Sequence, residues 1–254
     1  MTSQVIPRRP TAASRSLAEQ LQPLVRVHES IRTRSRVALD VAGARQRVRA
    51  GRAAFDAAEV LASAGDLARA FQRAAASFER AGLATTPQLT ALRERGTDPA
   101  RLALAWCNGE SIPRDATLRL ARSVAAVVGN ALLAHAAATV AEDFSFSSWK
   151  WPQCPCCGGA PDLAILTDTR RSLVCGRCDT TWRTELRGCI GCGADLAPDL
   201  VRIPSPHLGY QVAICNACGR YIKERRGTPA QSLLVERMLT LGLDEAAQQR
   251  GLRA

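Results

Sequence analysis

Eight cysteines of this chain form four pairs, and two residues separate the members of each pair. A tight turn of this length can aim both thiolates at one ion while the turn's amides stabilise their charge. In a reducing compartment, cysteines at this spacing favour metal binding over disulfides. The pattern therefore predicts metal ligands at Cys154, Cys157, Cys175, Cys178, Cys189, Cys192, Cys215 and Cys218.

The distances between the pairs indicate how they combine. Seventeen residues separate the first pair from the second, and twenty-two separate the third from the fourth. Each gap suits a ribbon whose two turns face one another, which favours two four-sulfur sites built from consecutive pairs. A crossed arrangement, first pair with third and second with fourth, is also compatible with the spacing. Four sulfurs suit both zinc and a single iron, so we expect two ions per chain, iron or zinc.

The residue after each pair supports the same interpretation, since a cysteine turn often needs a positive φ angle there. Glycine or aspartate, which tolerate that angle, occupies all four positions: Gly158, Asp179, Gly193 and Gly219. Two cysteines lie outside the pairs. Cys156 lies between two predicted ligands and is expected to be exposed or packed, and Cys107 lies in a helical pattern that predicts a core position.

The rest of the sequence contains no recognisable catalytic motif. It lacks a phosphate loop of the Gly-Lys-Ser type, a dinucleotide-binding glycine fingerprint, paired histidines for hydrolytic zinc and a Gly-x-Ser-x-Gly elbow. A closed four-cysteine site also leaves no open position for a substrate. We therefore expect a protein that is not an enzyme, in which the metals stabilise a small fold; electron transfer at an iron site is a further hypothesis.

Helical periodicity dominates the chain before the cysteine segment and ends near residue 142. Six amphipathic segments precede that point, at about 13–42, 44–63, 66–80, 87–95, 99–107 and 113–141. Four short strand patterns flanked by turn residues follow it, at 164–167, 172–174, 180–186 and 210–214. The predicted fold class is α+β: a helical domain, two four-cysteine modules of the zinc-ribbon kind and a C-terminal helix. The expected boundaries are a flexible segment at 1–12, the helical domain at 13–148, the modules at 149–188 and 189–229, and the helix at 230–254.

The formal charge of +11 raises the hypothesis of a nucleic-acid-binding ribbon protein. Residues 1–50 carry ten arginines against three acidic residues, so most of the positive charge lies in the N-terminal part of the sequence. Two metal ions held by eight thiolates would make the cysteine segment slightly negative. Because the ribbons are then not basic, we disfavour a nucleic-acid partner and keep it as the alternative.

The sequence favours a cytoplasmic protein. The basic residues near the N-terminus, Arg8 and Arg9, are not followed by the apolar core of an export signal. Residues 120–141 are the most apolar stretch, but Arg122, Asn130 and His135 interrupt them. That composition predicts a buried bundle helix and no membrane insertion. Nothing in the sequence indicates an oligomeric state.

The residues around the cysteine pairs extend the pattern beyond a generic ribbon. One proline lies within the first pair and another follows it, a tryptophan follows the second pair, and a Tyr-Ile-Lys sequence follows the last. The residues that carry the pattern besides the cysteines are Trp151, Pro155, Pro161, Leu173, Trp182, Tyr221, Ile222 and Lys223. Over residues 149–223 this pattern resembles the FdhE family of formate dehydrogenase accessory proteins, and residues 232–253 resemble that family's final helix.

The resemblance implies a helical N-terminal domain followed by two rubredoxin-like modules. It also implies a chaperone-like role in the cytoplasm, in which the protein contacts the molybdenum-containing catalytic subunit of a respiratory formate dehydrogenase during maturation. Iron becomes a candidate metal on the same basis.

Overall fold

The computed structural model describes residues 12–111, 113–142, 144–167, 170–195, 199–205, 208–227, 229 and 231–253. The chain divides into two units. The helical unit comprises Gln20–Phe144 and Cys156–Gly158, and the sheet unit comprises Ser145–Pro155, Gly159–Ala254 and the described residues before Gln20. Apart from Ala12, the predicted flexible segment at 1–12 lies outside the described residues.

Eight helices occupy the described residues before the sheet. They are α1 (Ala12–Gln20), α2 (Gln22–Arg34), α3 (Val41–Arg49), α4 (Ala57–Ala62), α5 (Leu67–Arg80), α6 (Thr86–Glu94), α7 (Pro99–Cys107) and α8 (Ala116–Ala141). Aspartate side chains accept backbone N–H bonds at the start of α3, α4, α7 and α8. Such caps satisfy amides that have no partner within the helix.

The first predicted helix, over residues 13–42, is interrupted in the structure. It is divided between α1 and α2, which flank Leu21, and α2 already ends at Arg34. Pro23 lies in the first turn of α2 and has no N–H to continue the hydrogen bonding of α1. The predicted helix over 44–63 is likewise divided, into α3 and α4. Gly51, just beyond the end of α3, adopts a φ of 73°, a conformation that terminates a helix.

Helix α8 forms the core of the helical unit and contacts α2, α5 and α7. Gly129 permits a close approach, because a Cβ there would lie 2.9 Å from the Trp106 ring. His28 and Asn130 share a buried hydrogen bond of 2.6 Å. Within the described residues, α8 alone is long and apolar enough to cross a membrane by length and composition, yet 72% of its apolar 18-residue stretch is buried in the structure. This matches the predicted buried bundle helix.

Six strands in the described residues form one sheet, in the order β3-β2-β1-β6-β5-β4. They are β1 (Pro161–Leu166), β2 (Arg171–Cys175), β3 (Thr181–Thr184), β4 (Leu200–Ser205), β5 (Tyr210–Cys215) and β6 (Tyr221–Arg226). Strands β1 to β3 form one antiparallel ribbon and β4 to β6 form another. Parallel pairing of β1 with β6 joins the two ribbons.

The sequence patterns predict strands in the regions of β1, β2, β3 and β5 but miss β4 and β6. Strand β4 contains Pro204, a residue that favours the edge position it occupies here. Strand β6 ends in four consecutive charged residues, which do not show the alternation of a half-buried strand. Strand β4 pairs with the neighbouring strand β5, whereas β6 also pairs with β1, which is distant in sequence.

The C-terminal segment forms two short helices, α9 (Leu233–Leu239) and α10 (Leu241–Gln249), where one helix is predicted. They meet at Thr240, whose hydroxyl donates to the Glu236 carbonyl over 2.9 Å. A hydroxyl bonded back to the preceding turn bends a helix. The predicted fold class, α+β with two four-cysteine modules and helix at the C-terminus, is confirmed.

Candidate metal centres

The first centre brings together Cys154, Cys157, Cys175 and Cys178, whose sulfur atoms all lie within 4.8 Å of one another. One pair precedes β1, and the other comprises the last residue of β2 and a residue of the turn that leads to β3. The Sγ atoms of Cys154 and Cys178 are 3.5 Å apart. Four sulfurs around a tetrahedral zinc ion lie about 3.8 Å apart, whereas a disulfide requires about 2 Å. All four cysteines are buried, so the arrangement suits a closed metal site.

The second centre has the same composition and a more open environment. It consists of Cys189, Cys192, Cys215 and Cys218. The Sγ distances are 3.6 Å from Cys189 to Cys218 and 3.6 Å from Cys192 to Cys215. Cys192 is exposed and Cys218 is half-buried. The structure thus groups consecutive pairs and not the crossed pairs that spacing alone allows.

The four cysteine turns share one backbone geometry. In each, the first cysteine donates its N–H to the carbonyl five residues later, over 2.7 to 2.9 Å. The residue after each pair has a positive φ, including 60° at Asp179, the one described residue other than glycine with this conformation. Backbone N–H groups of Arg177 and Gly191 also approach Cys175 Sγ and Cys189 Sγ, at 3.4 and 3.3 Å. These donors stabilise negative charge on sulfur.

Thiol pKa values in the second centre shift in opposite directions. Burial acts to raise the pKa of Cys189, but hydrogen bonds from the backbone of Cys192 and Gly191 and from neighbouring thiols outweigh burial and lower it to about 7. Burial raises the pKa of Cys218 to about 12 and also raises the pKa of Cys215. An ion among these sulfurs would stabilise the thiolate form of all four cysteines.

Arg237 of α9 supports the first centre from a distant part of the sequence. Its guanidinium donates to Asp162 and Asp179 over 2.7 Å each and to the Cys175 carbonyl over 2.8 Å. Burial alone would lower the pKa of Arg237, but the two carboxylates more than offset that effect and raise it. The arginine therefore ties a ligand-bearing turn to β1. No local sequence pattern indicates this role.

Three charged side chains of β6, those of Lys223, Glu224 and Arg225, are buried in the middle of the sheet, and each has a partner of opposite charge. Lys223 is 2% exposed and contacts Asp244 at 2.5 Å, while the Tyr221 hydroxyl donates to the same carboxylate over 2.9 Å. Arg225 pairs with Glu236 at 3.2 Å. These contacts attach α9 and α10 to the ribbons and give the Tyr-Ile-Lys sequence a structural role.

The tryptophans of the cysteine motif differ in environment. Trp182 is 2% exposed and donates its indole N–H to the Trp151 carbonyl over 3.3 Å, whereas the Trp151 side chain is 55% exposed. Trp149 donates to the Gln153 carbonyl over 2.8 Å. These indole donors fix the segment that leads into the first cysteine pair.

The two remaining cysteines lie outside both clusters. Cys107 is 3% exposed at the end of α7, the core position that the helical pattern predicts. Cys156 is fully buried, and its carbonyl accepts the Phe55 N–H over 3.0 Å. Within the helical unit, its Sγ lies 4.0 Å from the Ala137 carbonyl.

These features define an α+β protein with two four-cysteine clusters, each able to hold one metal ion. The chain is similar to "Protein FdhE homolog" of Aquifex aeolicus (strain VF5), with 30% identity over 125 residues. That match spans 44% of each protein, less than half of the relative's length. No protein-family model matches the chain.

The fold matches the crystal structure of the FdhE protein from Pseudomonas aeruginosa, with a TM-score of 0.64 and 18% identity. That match covers 94% of this chain and 90% of the other. The curated relative and the solved structure confirm the resemblance to FdhE proteins that the cysteine motif indicates.

Proposed function

We propose that this chain is a cytoplasmic accessory protein of the FdhE family that binds the catalytic subunit of a respiratory formate dehydrogenase. In this role it supports assembly or activity of the subunit and catalyses no reaction itself. The observation that carries the proposal is the two four-cysteine clusters within a fold that matches an FdhE crystal structure over 94% of the chain. The 30% identical relative named FdhE homolog supports it from sequence.

Each cluster holds one iron or zinc ion in this proposal. Two turns supply all four sulfurs at each site, which fills a tetrahedral coordination sphere. A closed site has no open position for a substrate or an activated water. The ions therefore act on the fold of the ribbons, and the partner-binding surface depends on that fold.

The direct test is to purify the tagged full-length protein anaerobically from its own cells at physiological salt. The co-purifying proteins are identified by mass spectrometry, and the metals are quantified by plasma emission. We expect a formate dehydrogenase catalytic subunit together with about two ions per chain. Recovery of a different oxidoreductase in its place would contradict the proposed partner.

A cysteine variant tests whether the partner depends on the first centre. Cys175→Ser replaces a buried ligand, so we expect about one ion per chain, no recovery of the subunit and loss of formate dehydrogenase activity in those cells. Cys107→Ala removes a buried thiol outside both clusters and serves as the matched control. Wild-type activity and partner recovery with Cys175→Ser would count against the proposal.

The same purification distinguishes the accessory role from the alternative of nucleic-acid binding. If the protein binds nucleic acid through the arginines of residues 1–50, nucleic acid would co-purify with it. The affinity of the protein for that nucleic acid would then fall steeply with salt. Recovery of nucleic acid without the subunit would overturn the accessory role and favour that alternative.

A further inference from the structure

A cavity of about 540 Å³ opens on the sheet unit, and its described lining includes none of the eight paired cysteines. It is bordered by the end of β1, the start of β2, the end of β3 and the link that leads to Cys189. The volume lies within the usual range for small-ligand sites. Its described lining contains five arginines, namely Arg170, Arg171, Arg183, Arg187 and Arg202.

The floor of the cavity holds a buried carboxylate shared by two arginines. Glu224 is fully buried, and its two oxygens contact Arg171 at 2.9 Å and Arg202 at 2.9 Å. Gln211 also donates to this carboxylate over 2.7 Å. One negative charge therefore faces two guanidinium groups, so the floor keeps an excess of one positive charge.

Besides its ion pair with Glu224, Arg171 is held in place by two backbone carbonyls. The residue is 9% exposed and donates to the carbonyls of Gly188 and Leu186, over 2.7 and 3.3 Å. Its Nε atom is buried and has no hydrogen-bond partner among the described residues. Burial lowers the pKa of Arg171, while the Glu224 charge acts in the opposite direction. Because Arg171 shares its single carboxylate partner with Arg202, further negative charge nearby would stabilise this buried cation.

The rim adds three exposed arginines, Arg170, Arg183 and Arg187, and one acidic residue, Glu185. Counting the floor, five cationic and two anionic side chains line the cavity in the described residues. Cations drawn together around a concave surface repel one another and raise the local concentration of anions. Arginine also presents a planar set of donors that matches both oxygens of a carboxylate or phosphate.

We propose that this cavity binds an oxyanion, a carboxylate or phosphate group, through the rim arginines and the immobilised Arg171. The site is distinct from both cysteine clusters and stands independently of the proposed partner. The oxyanion belongs to an acidic protein segment or to a free phosphate compound. Both sources present the same chemistry to the arginines, and the test distinguishes them.

The test is a calorimetric titration of the full-length, metal-loaded protein at low and at physiological salt. Inorganic pyrophosphate represents the free compound, and a hexaglutamate peptide with blocked ends represents the acidic segment. The arm that binds more tightly identifies the source, and binding in either arm supports the site if the variants below respond as expected. Absence of binding in both arms at low salt would overturn the proposal.

Three variants test whether the rim arginines and Glu185 set the affinity. The exposed pair Arg183→Gln and Arg187→Gln, made together, leaves the buried floor intact and weakens binding about tenfold or more. Glu185→Gln removes an anion from the rim, so binding strengthens several-fold. Arg101→Gln removes an exposed arginine of the helical unit and leaves the affinity unchanged. An equal loss of affinity in Arg101→Gln would indicate only unspecific charge attraction and overturn the proposal.

Discussion

The two cysteine centres share the same ligands and the same turn geometry but differ in their contact with solvent. All four cysteines of the first centre are buried, whereas the second exposes Cys192 and half-buries Cys218. The local hydrogen bonds within the turns are alike, so the turns do not account for the difference in exposure. We attribute that difference to the elements packed around each centre.

Different residues support the second turn of each centre. In the first, the side chain of Arg237 joins two carboxylates to the Cys175 carbonyl. In the second, the backbone N–H of Arg253 donates to the Gly219 carbonyl over 3.0 Å, and its exposed side chain donates to the Cys218 carbonyl over 3.3 Å. Four thiolates around an ion therefore define a site, while its protection depends on distant residues.

The rate of metal removal should show the largest difference between the two centres. With an excess of chelator, the second centre should lose its ion about tenfold faster or more, because ligand exchange needs access to a sulfur. A colorimetric assay of released metal would then show two phases of equal amplitude.

Cys218→Ser serves as the control for the assignment of those phases, since it removes a ligand of the second centre only. We expect the fast phase to disappear and the slow phase to persist. A single phase in the wild-type protein, or loss of the slow phase in Cys218→Ser, would show that exposure does not govern release.

Arg237→Gln should weaken the first centre specifically. The variant leaves Asp162 and Asp179 without their shared cation and costs about 2 kcal/mol of unfolding free energy. Slow-phase metal release should accelerate while the fast phase keeps its rate, as measured by the same assay and by chemical denaturation. Arg250→Gln, an exposed arginine at the end of α10, should change neither quantity. Equal acceleration of both phases by Arg237→Gln would show a general loss of stability.

Gly219→Ala should have the smallest effect. The φ of 68° at Gly219 is unfavourable for alanine, although no atom lies within 4 Å of the added Cβ, so we expect a loss of about 1 kcal/mol from backbone strain alone. Denaturation would measure it, with Gly242→Ala of α10 as control. Gly242 has space for a Cβ and a helical conformation, so its substitution should be neutral or stabilising. A loss as large as that of Arg237→Gln would indicate that the turn is less tolerant than its open surroundings suggest.

Local patterns predict the helical region, four of the six strands in the described residues and the positive φ of Asp179. They miss interruptions that depend on single residues, such as Pro23, the edge strand β4 that contains Pro204, and strand β6, whose stability is not local. Strand β6 is the clearest case, because Lys223 and Glu224 read as solvent-facing residues in the sequence. In the structure both are buried, since Asp244 and Arg171 supply the charges they need.

The sequence by itself determined the eight cysteines that cluster, because a two-residue spacing places two sulfurs on one turn, and it determined the α+β class. Which turns face one another, which centre is open to solvent and where Arg171 and Arg237 act were decided by the tertiary structure. The physical reason is separation along the chain. Arg237 lies 75 residues from Asp162 and 58 from Asp179, and only the folded sheet and helices bring these charges into contact.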